Sequence, residues 1–204
     1  MKRIPAFLFV LLVSVSLHAQ DIELPAPQKT GGLPLMEALA KRSTSRAFDP
    51  RELTSQELSD LLWAGVGINR PDGRRTAPSA RNSQEIELYV LLKHGGYVYD
   101  AAKNTLRLLV SEDLRPQGSS TEVPVILLFV ADLSKRPEIA EAKKNVAAVD
   151  SGFVAENIYL YCASEGLATG YRGSGFDRAA LSPKLKLRPD QEIVAVQLVG
   201  HLKQ

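Results

Sequence analysis

The sequence predicts an α+β domain in which a small mixed or antiparallel sheet is flanked by helices. Three observations carry that class. Residues 123–131 form an unbroken apolar run rich in β-branched side chains, the pattern of a strand buried on both faces. Ile86, Leu88, Val90 and Leu92 alternate with Glu87, Tyr89, Leu91 and Lys93, the period of a second strand. Val154, Ile158 and Tyr161/Cys162 recur at helical spacing across 150–165. Strands and helices follow one another without a strict βαβ alternation, which separates the chain from the doubly wound class.

Taken in order, residues 1–19 read as a secretory signal peptide. Lys2 and Arg3 precede an apolar core over 6–15, interrupted only by Ser14, and Ala19 offers a small-residue exit. The apolar run is too short to span a bilayer. The expectation is a periplasmic or secreted protein with no stable membrane insertion after cleavage. Residues 20–32, with Pro25, Pro27, Gly31 and Gly32, read as an extended arm or linker, and 33–204 as one domain. A first helix covers 33–41, and Asp49-Pro50 turns the chain. Thr54 with Glu57 forms a capping box for a helix whose stripe is Leu58, Leu61, Leu62 and Val66, closed by Gly65 and Gly67. The polar stretch 69–84 is a long loop, a length that is often functional.

After the strand over 86–93, Gly95-Gly96 predicts a turn into Tyr97, Val98 and Tyr99, while 106–110 fits both periods. Pro137 opens a helix over 137–149, and Asp150 or Ser151 starts another that Gly166 caps after Glu165. A Gly-rich loop over 169–175 follows. Asp177 then caps a short helix through Leu181, and 192–199 is a final strand apolar on both faces.

Composition narrows the function classes. With 204 residues, 45% hydrophobic and 24% charged, the chain supports one domain with a real core. The first 19 residues hold two of the 25 Lys and Arg and none of the 23 Asp and Glu, so the remainder is neutral and a nucleic-acid role lacks its electrostatic motive. Cys162 is the single cysteine, which excludes an internal disulfide and a Cys-rich metal site; it reads as a small buried hydrophobe. His94 and His201 pair with no carboxylate in any catalytic motif, so neither a nucleophilic triad nor a metal site is predicted.

The run Lys41-Arg42-Ser43-Thr44-Ser45-Arg46 packs cations and hydroxyls just where the first helix ends. Alone, it is what the helix macrodipole attracts to a C-terminus; chemically, it also matches phosphate oxygens. Four stretches in order decide between the two. They are Arg42 to Arg46 with Phe48 behind; residues 61–69 with Arg75-Thr76-Ala77-Pro78-Ser79-Ala80 and Asn82-Ser83-Gln84; Asn157 to Gly170; and Gly173-Ser174-Gly175-Phe176-Asp177. Together they resemble the nitroreductase-like flavoproteins, with 61–80 most similar to the thiazole/oxazole peptide dehydrogenase (SagB/ThcOx-type) subgroup.

The resemblance implies a nitroreductase-like fold and FMN as cofactor. It implies that Arg42, Ser43, Thr44 and Arg46 hold the phosphate and part of the ring, and that Pro78, Ser79, Ala80 and Asn82 line the ring. Gly173, Ser174 and Gly175 would pass over its face, offering backbone N–H groups. It further implies a homodimer with each site at the subunit boundary, and ping-pong transfer from NAD(P)H or another small-molecule donor to an electron-poor acceptor. No side chain need be catalytic, because the flavin supplies the redox chemistry. The other readings are a non-catalytic flavin- or ligand-binding protein on the same scaffold, and a peptide dehydrogenase working with partner proteins. The chain stops soon after the last strand, so His201 and Lys203 are the only cations there to help close a phosphate site.

Overall fold

The computed structural model describes residues 20–120, 122–138 and 140–203, so the signal segment 1–19 lies outside the described residues. The chain runs β1 (Ile22–Glu23), α1 (Leu35–Lys41), β2 (Phe48–Asp49), α2 (Ser55–Val66), β3 (Ile86–Leu92), β4 (Gly95–Asp100), β5 (Thr105–Val110) and α3 (Arg115–Gly118). It continues with β6 (Val125–Asp132), α4 (Ala140–Glu165), β7 (Leu167–Arg172), α5 (Arg178–Lys184) and β8 (Gln191–Leu202). The eight strands form one antiparallel sheet in the order β1-β5-β4-β3-β6-β8-β2, with β7 on the other edge of β8. This is the expected α+β class.

Strand β6 shows why the sequence builds two apolar layers. All eight of its residues are buried. Leu127 and Phe129 point into a core shared with Leu61 and Leu62 of α2 and Ile158 of α4. Ile126, Leu128 and Val130 point the other way, toward Leu114, Leu181 and Leu185. A fully buried aliphatic side chain stabilises by about 1.5–3 kcal/mol, so this doubly buried strand is the centre of the fold. The capping box forms as predicted: Thr54 N–H donates to Glu57 Oε2 (2.7 Å) and Glu57 N–H donates to Thr54 Oγ1 (3.2 Å).

Three expectations change, and two open points are settled. The two helices predicted over 137–165 are one helix, α4, beginning at Ala140. Asp150 and Ser151 look like an N-cap, but their polar atoms find other partners: Asp150 Oδ2 accepts from Ala80 N–H (2.9 Å) and Ser151 Oγ donates to Ala148 O (2.7 Å). Gly95 and Gly96 lie in β4 rather than in the turn, which is Lys93-His94. The ambiguous 106–110 stretch is strand β5. Part of the predicted loop over 169–175 is strand β7, paired to β8. The arm over 20–32 is docked along the domain: β1 pairs β5, Ser59 Oγ donates to Pro25 O (2.6 Å), and Leu33 N–H donates to Ser164 Oγ (2.7 Å). No helix among the described residues is long and apolar enough to cross a membrane.

Gly95 is fixed by close approach. A Cβ there would stand 2.6 Å from the Val110 carbonyl oxygen of the neighbouring strand, and backbone cannot yield as a side chain does. Gly95→Ala should therefore lower stability by about 1–3 kcal/mol in urea unfolding. An unchanged midpoint would show that β4 and β5 part freely there.

Candidate functional site

The cationic run leaves α1 at Arg42, whose φ of −54° and ψ of 121° end the helix. The segment then lies beside β7, where Ser45 N–H donates to Thr169 O (2.8 Å). Gly170 permits the approach, because a Cβ there would stand 2.7 Å from Ser45 O. Tyr159 of α4 holds the outer side. Its ring lies 5.3 Å beneath the Arg42 guanidinium, its hydroxyl sits 3.0 Å from Thr44 Oγ1, and it accepts from Tyr171 N–H (2.9 Å). Arg42 and Thr44 thus share one support. Ser43 faces elsewhere, into a cavity with Lys41, Ser45 and Cys162.

Arg46 lines a different cavity of about 250 Å³ with Arg172, Lys203, Ser119, Ser120 and Glu122. Arg172 donates weakly to Ser119 Oγ (3.3 Å). Among the described residues, Arg42, Arg46, Arg172 and Lys203 form no ion pair with a carboxylate. Arg46, Arg172 and Lys203, gathered in one cavity with Ser119 and Ser120, fit an anionic group such as a phosphate. Arg172, Ser119 and Ser120 were not singled out by sequence. Arg172 lies inside the quoted Gly-rich stretch, but only the fold sets it beside Arg46, and the two serines carry no motif.

The segment over 78–84 is built quite differently. Arg81 (φ 58°), Asn82 (φ 55°) and Gln84 (φ 49°) all take left-handed backbone, a conformation that costs of order 1 kcal/mol per non-glycine residue. Buried charges hold it there. Ala80 N–H donates to Asp150 Oδ2, and Ala80 O accepts from Arg136 Nη1 (2.9 Å). Arg136 Nη1 also donates to Ser83 Oγ (2.6 Å), which donates to Glu85 Oε2 (2.7 Å). Gln84 N–H closes the loop on Ser79 Oγ (2.9 Å). Pro78 and Ser79 line a narrow space beside Arg75, Gln84, Asp150 and Val154.

Gly173, Ser174 and Gly175 are exposed at the end of β7, with Gly175 at φ 81°. Gly173 O accepts from Arg178 Nη2 (3.1 Å). The predicted residues therefore form several groups rather than one. Asp150, under the 78–84 loop, and Tyr159, under Arg42 and Thr44, are nine residues apart on α4. That spacing puts them about 13 Å apart along the axis and about half a turn apart around it. The two groups thus lie on opposite faces of one helix.

A nitroreductase family model matches residues 39–201. The chain belongs to the nitroreductase family. It is 36% identical to a Ralstonia eutropha JMP134 protein named as a nitroreductase, whose crystal structure superposes with a TM-score of 0.85 over 93% of both chains. MJ1384 of Methanocaldococcus jannaschii, also named as a nitroreductase, is 25% identical over 172 residues, 77% of this chain and 85% of that protein. A Staphylococcus epidermidis ATCC 12228 protein named as an NAD(P)H:FMN oxidoreductase shares the fold at 16% identity, with a TM-score of 0.62 over 88% of this chain and 92% of that one. The membership makes the protein an oxidoreductase.

Within this nitroreductase, the 78–84 loop sits on an unusual electrostatic base. Arg136, Glu85 and Asp150 have side chains 1%, 0% and 3% exposed, and Glu138 closes a bidentate pair with Arg136 (2.7 and 3.1 Å). Burial pushes the Asp150 carboxyl up to about 6; the Glu85 carboxylate adds to the rise, while the Ala80 N–H and Arg136 oppose it. Because the folded pKa lies above the ordinary 3.8, Asp150 stabilises the fold most at low pH, and that contribution is lost as pH rises toward 6. Between pH 5 and 7 the loss is about 1 kcal/mol. Asp150→Asn should remove it, so the melting-temperature gap between variant and wild type shifts in the variant's favour across this window. Parallel pH profiles would place the titration elsewhere.

Proposed function

We propose that this nitroreductase is an exported, FMN-dependent oxidoreductase working as a homodimer, in which each flavin is held between two chains. The observation that supports this most is the division of the site across α4. One chain offers unpaired cations around Tyr159 and β7, and on the opposite face a rigid loop of small residues. The cavity lined by Arg46, Arg172 and Lys203 is about 250 Å³, below the roughly 300–1,000 Å³ usual for a cofactor site, so it suits only part of an FMN. A second copy would bring its 78–84 loop to complete the enclosure.

The surface supports a partner. Leu35 (63% exposed), Met36 (75%) and Leu39 (44%) on α1, with Val149 and Phe153 on α4, leave large apolar side chains in water. Burying them against a second copy removes that cost. Export is supported by the charge and apolar pattern of residues 1–19.

The residues present fit FMN. Arg42, Arg46 and Lys203 would neutralise its phosphate, and Thr44 Oγ1 would donate to a phosphate oxygen. Pro78, Ser79 and Ala80 would let the ring approach closely, with Asn82 as a polar contact. The backbone N–H groups of Ser174 and Gly175 would face the reactive edge, where negative charge on the reduced ring is stabilised by donors. Bound FMN supplies the hydride chemistry, from NAD(P)H or another reduced donor to an electron-poor small-molecule acceptor. The similarity of 61–80 to the peptide dehydrogenase subgroup supports a peptide, oxidised by the flavin, as one class of hydride donor.

The purified protein should be yellow and should bleach when a reduced donor such as NADPH is added. Arg42→Ala or Arg46→Ala should each keep the fold and weaken FMN binding roughly ten- to hundredfold, the loss of about 1.5–3 kcal/mol expected for one charge-assisted bond, and the double variant should weaken it further. Unchanged affinity would remove these cations from the site. Tight binding without any bleaching by reduced donors would make the protein a binding module.

A further inference from the structure

The 78–84 loop is the only stretch among the described residues in which three non-glycine residues within four positions take left-handed backbone. The middle of this loop is held by a buried ion cluster. Ala80 is gripped at both ends of its peptide plane system: its N–H by Asp150 from α4, and its carbonyl by Arg136 from the segment after β6. Ser83 is tied to the same guanidinium and to Glu85. Arg136 is itself aligned by Glu138 through two nitrogens and by Asp150 Oδ2 at 3.7 Å. Three carboxylates and one guanidinium are thus spent on orienting a short surface segment.

Such burial is costly and is seldom kept for stability alone, because a well-packed apolar cluster would serve the fold as well. What the cluster does provide is geometry. A loop with three disfavoured residues relaxes unless its surroundings fix it. A flexible loop must also be ordered before it can enclose a ligand, which lowers affinity.

We propose that Arg136 and Asp150 are positioning residues for the cofactor: by clamping the two backbone groups of Ala80, they hold the Ser79 to Gln84 loop ready for flavin. Neither touches the flavin. Both act through Ala80, and the proposal rests on the flavin reading given above. Asp150→Ala frees the Ala80 N–H while Arg136 keeps Glu85 and Glu138, so the fold retains a paired guanidinium. Asp150→Asn keeps an oxygen in place to accept from Ala80 and changes only the charge.

Two measurements on the flavin-free protein separate the clamp from its purpose. Hydrogen exchange at the Ala80 amide reads the clamp without any cofactor, and FMN fluorescence quenching reads its consequence. In Asp150→Ala the amide should exchange at least about tenfold faster and the FMN dissociation constant should rise about tenfold or more. Asp150→Asn should recover most of both, which loss of general stability would not produce. Should Asp150→Ala fail to fold, Arg136→Lys makes the same prediction, since a single ammonium cannot span Ala80 O, Ser83 and Glu138. Unchanged exchange in the variant overturns the clamp. Faster exchange with unchanged FMN affinity overturns its role toward the cofactor. A wild-type protein that protects the Ala80 amide but binds no FMN overturns the flavin reading, and the positioning role with it.

Discussion

Helix α4 fixes both halves of the candidate site, and the spacing of two of its side chains decides how the molecule can work. Tyr159 supports Arg42 and Thr44, while Asp150 holds Ala80. Helical geometry sends the two in opposite directions. The helix can do this because it is seated on the sheet through Val154, Ala155, Ile158 and Cys162, all buried in the core that contains Leu127 and Phe129 of β6. Each half therefore inherits the rigidity of the core, although the site residues themselves lie at the surface.

The two halves are made rigid by different physics. Around Tyr159, neutral hydrogen bonds and a cation over an aromatic ring align donors that remain open to solvent, which suits a charged group arriving from water. Under Ala80, buried charges find partners in one another, in the Ala80 backbone and in Ser83. The first arrangement is soft and electrostatic; the second is stiff and specific. A ligand with a phosphate at one end and a flat ring at the other asks for that division.

Much of this was legible in the chain. The capping box at Thr54 and Glu57 and the doubly buried strand read at 123–131 rest on local patterns; the box appears as read, and the strand runs Val125–Asp132. The 106–110 stretch could not be typed because five residues fit either period, and pairing with β4 and β1 decides it. Asp150-Ser151 misled because a cap is a local signal, whereas the actual partner of Asp150 is Ala80, 70 residues away. Arg136 sits in a stretch with no motif, and its partners come from three separate segments. Arg46 and Arg172 likewise meet only once the 42–48 segment lies along β7. The candidate site residues could be named from pattern, but the residues that hold them could not, because support is a property of the folded contacts.

The central claim is that two chains complete one site, and a mixed dimer tests it most directly. One chain would carry Arg42→Ala/Arg46→Ala and the other Ser79→Trp, each impairing one half, with the heterodimer isolated through distinct tags. The account predicts one FMN per heterodimer at near wild-type affinity, because one of its two sites joins the intact halves. A heterodimer that binds no flavin, when the wild-type dimer binds two, would show that each chain builds its site alone and would contradict the account.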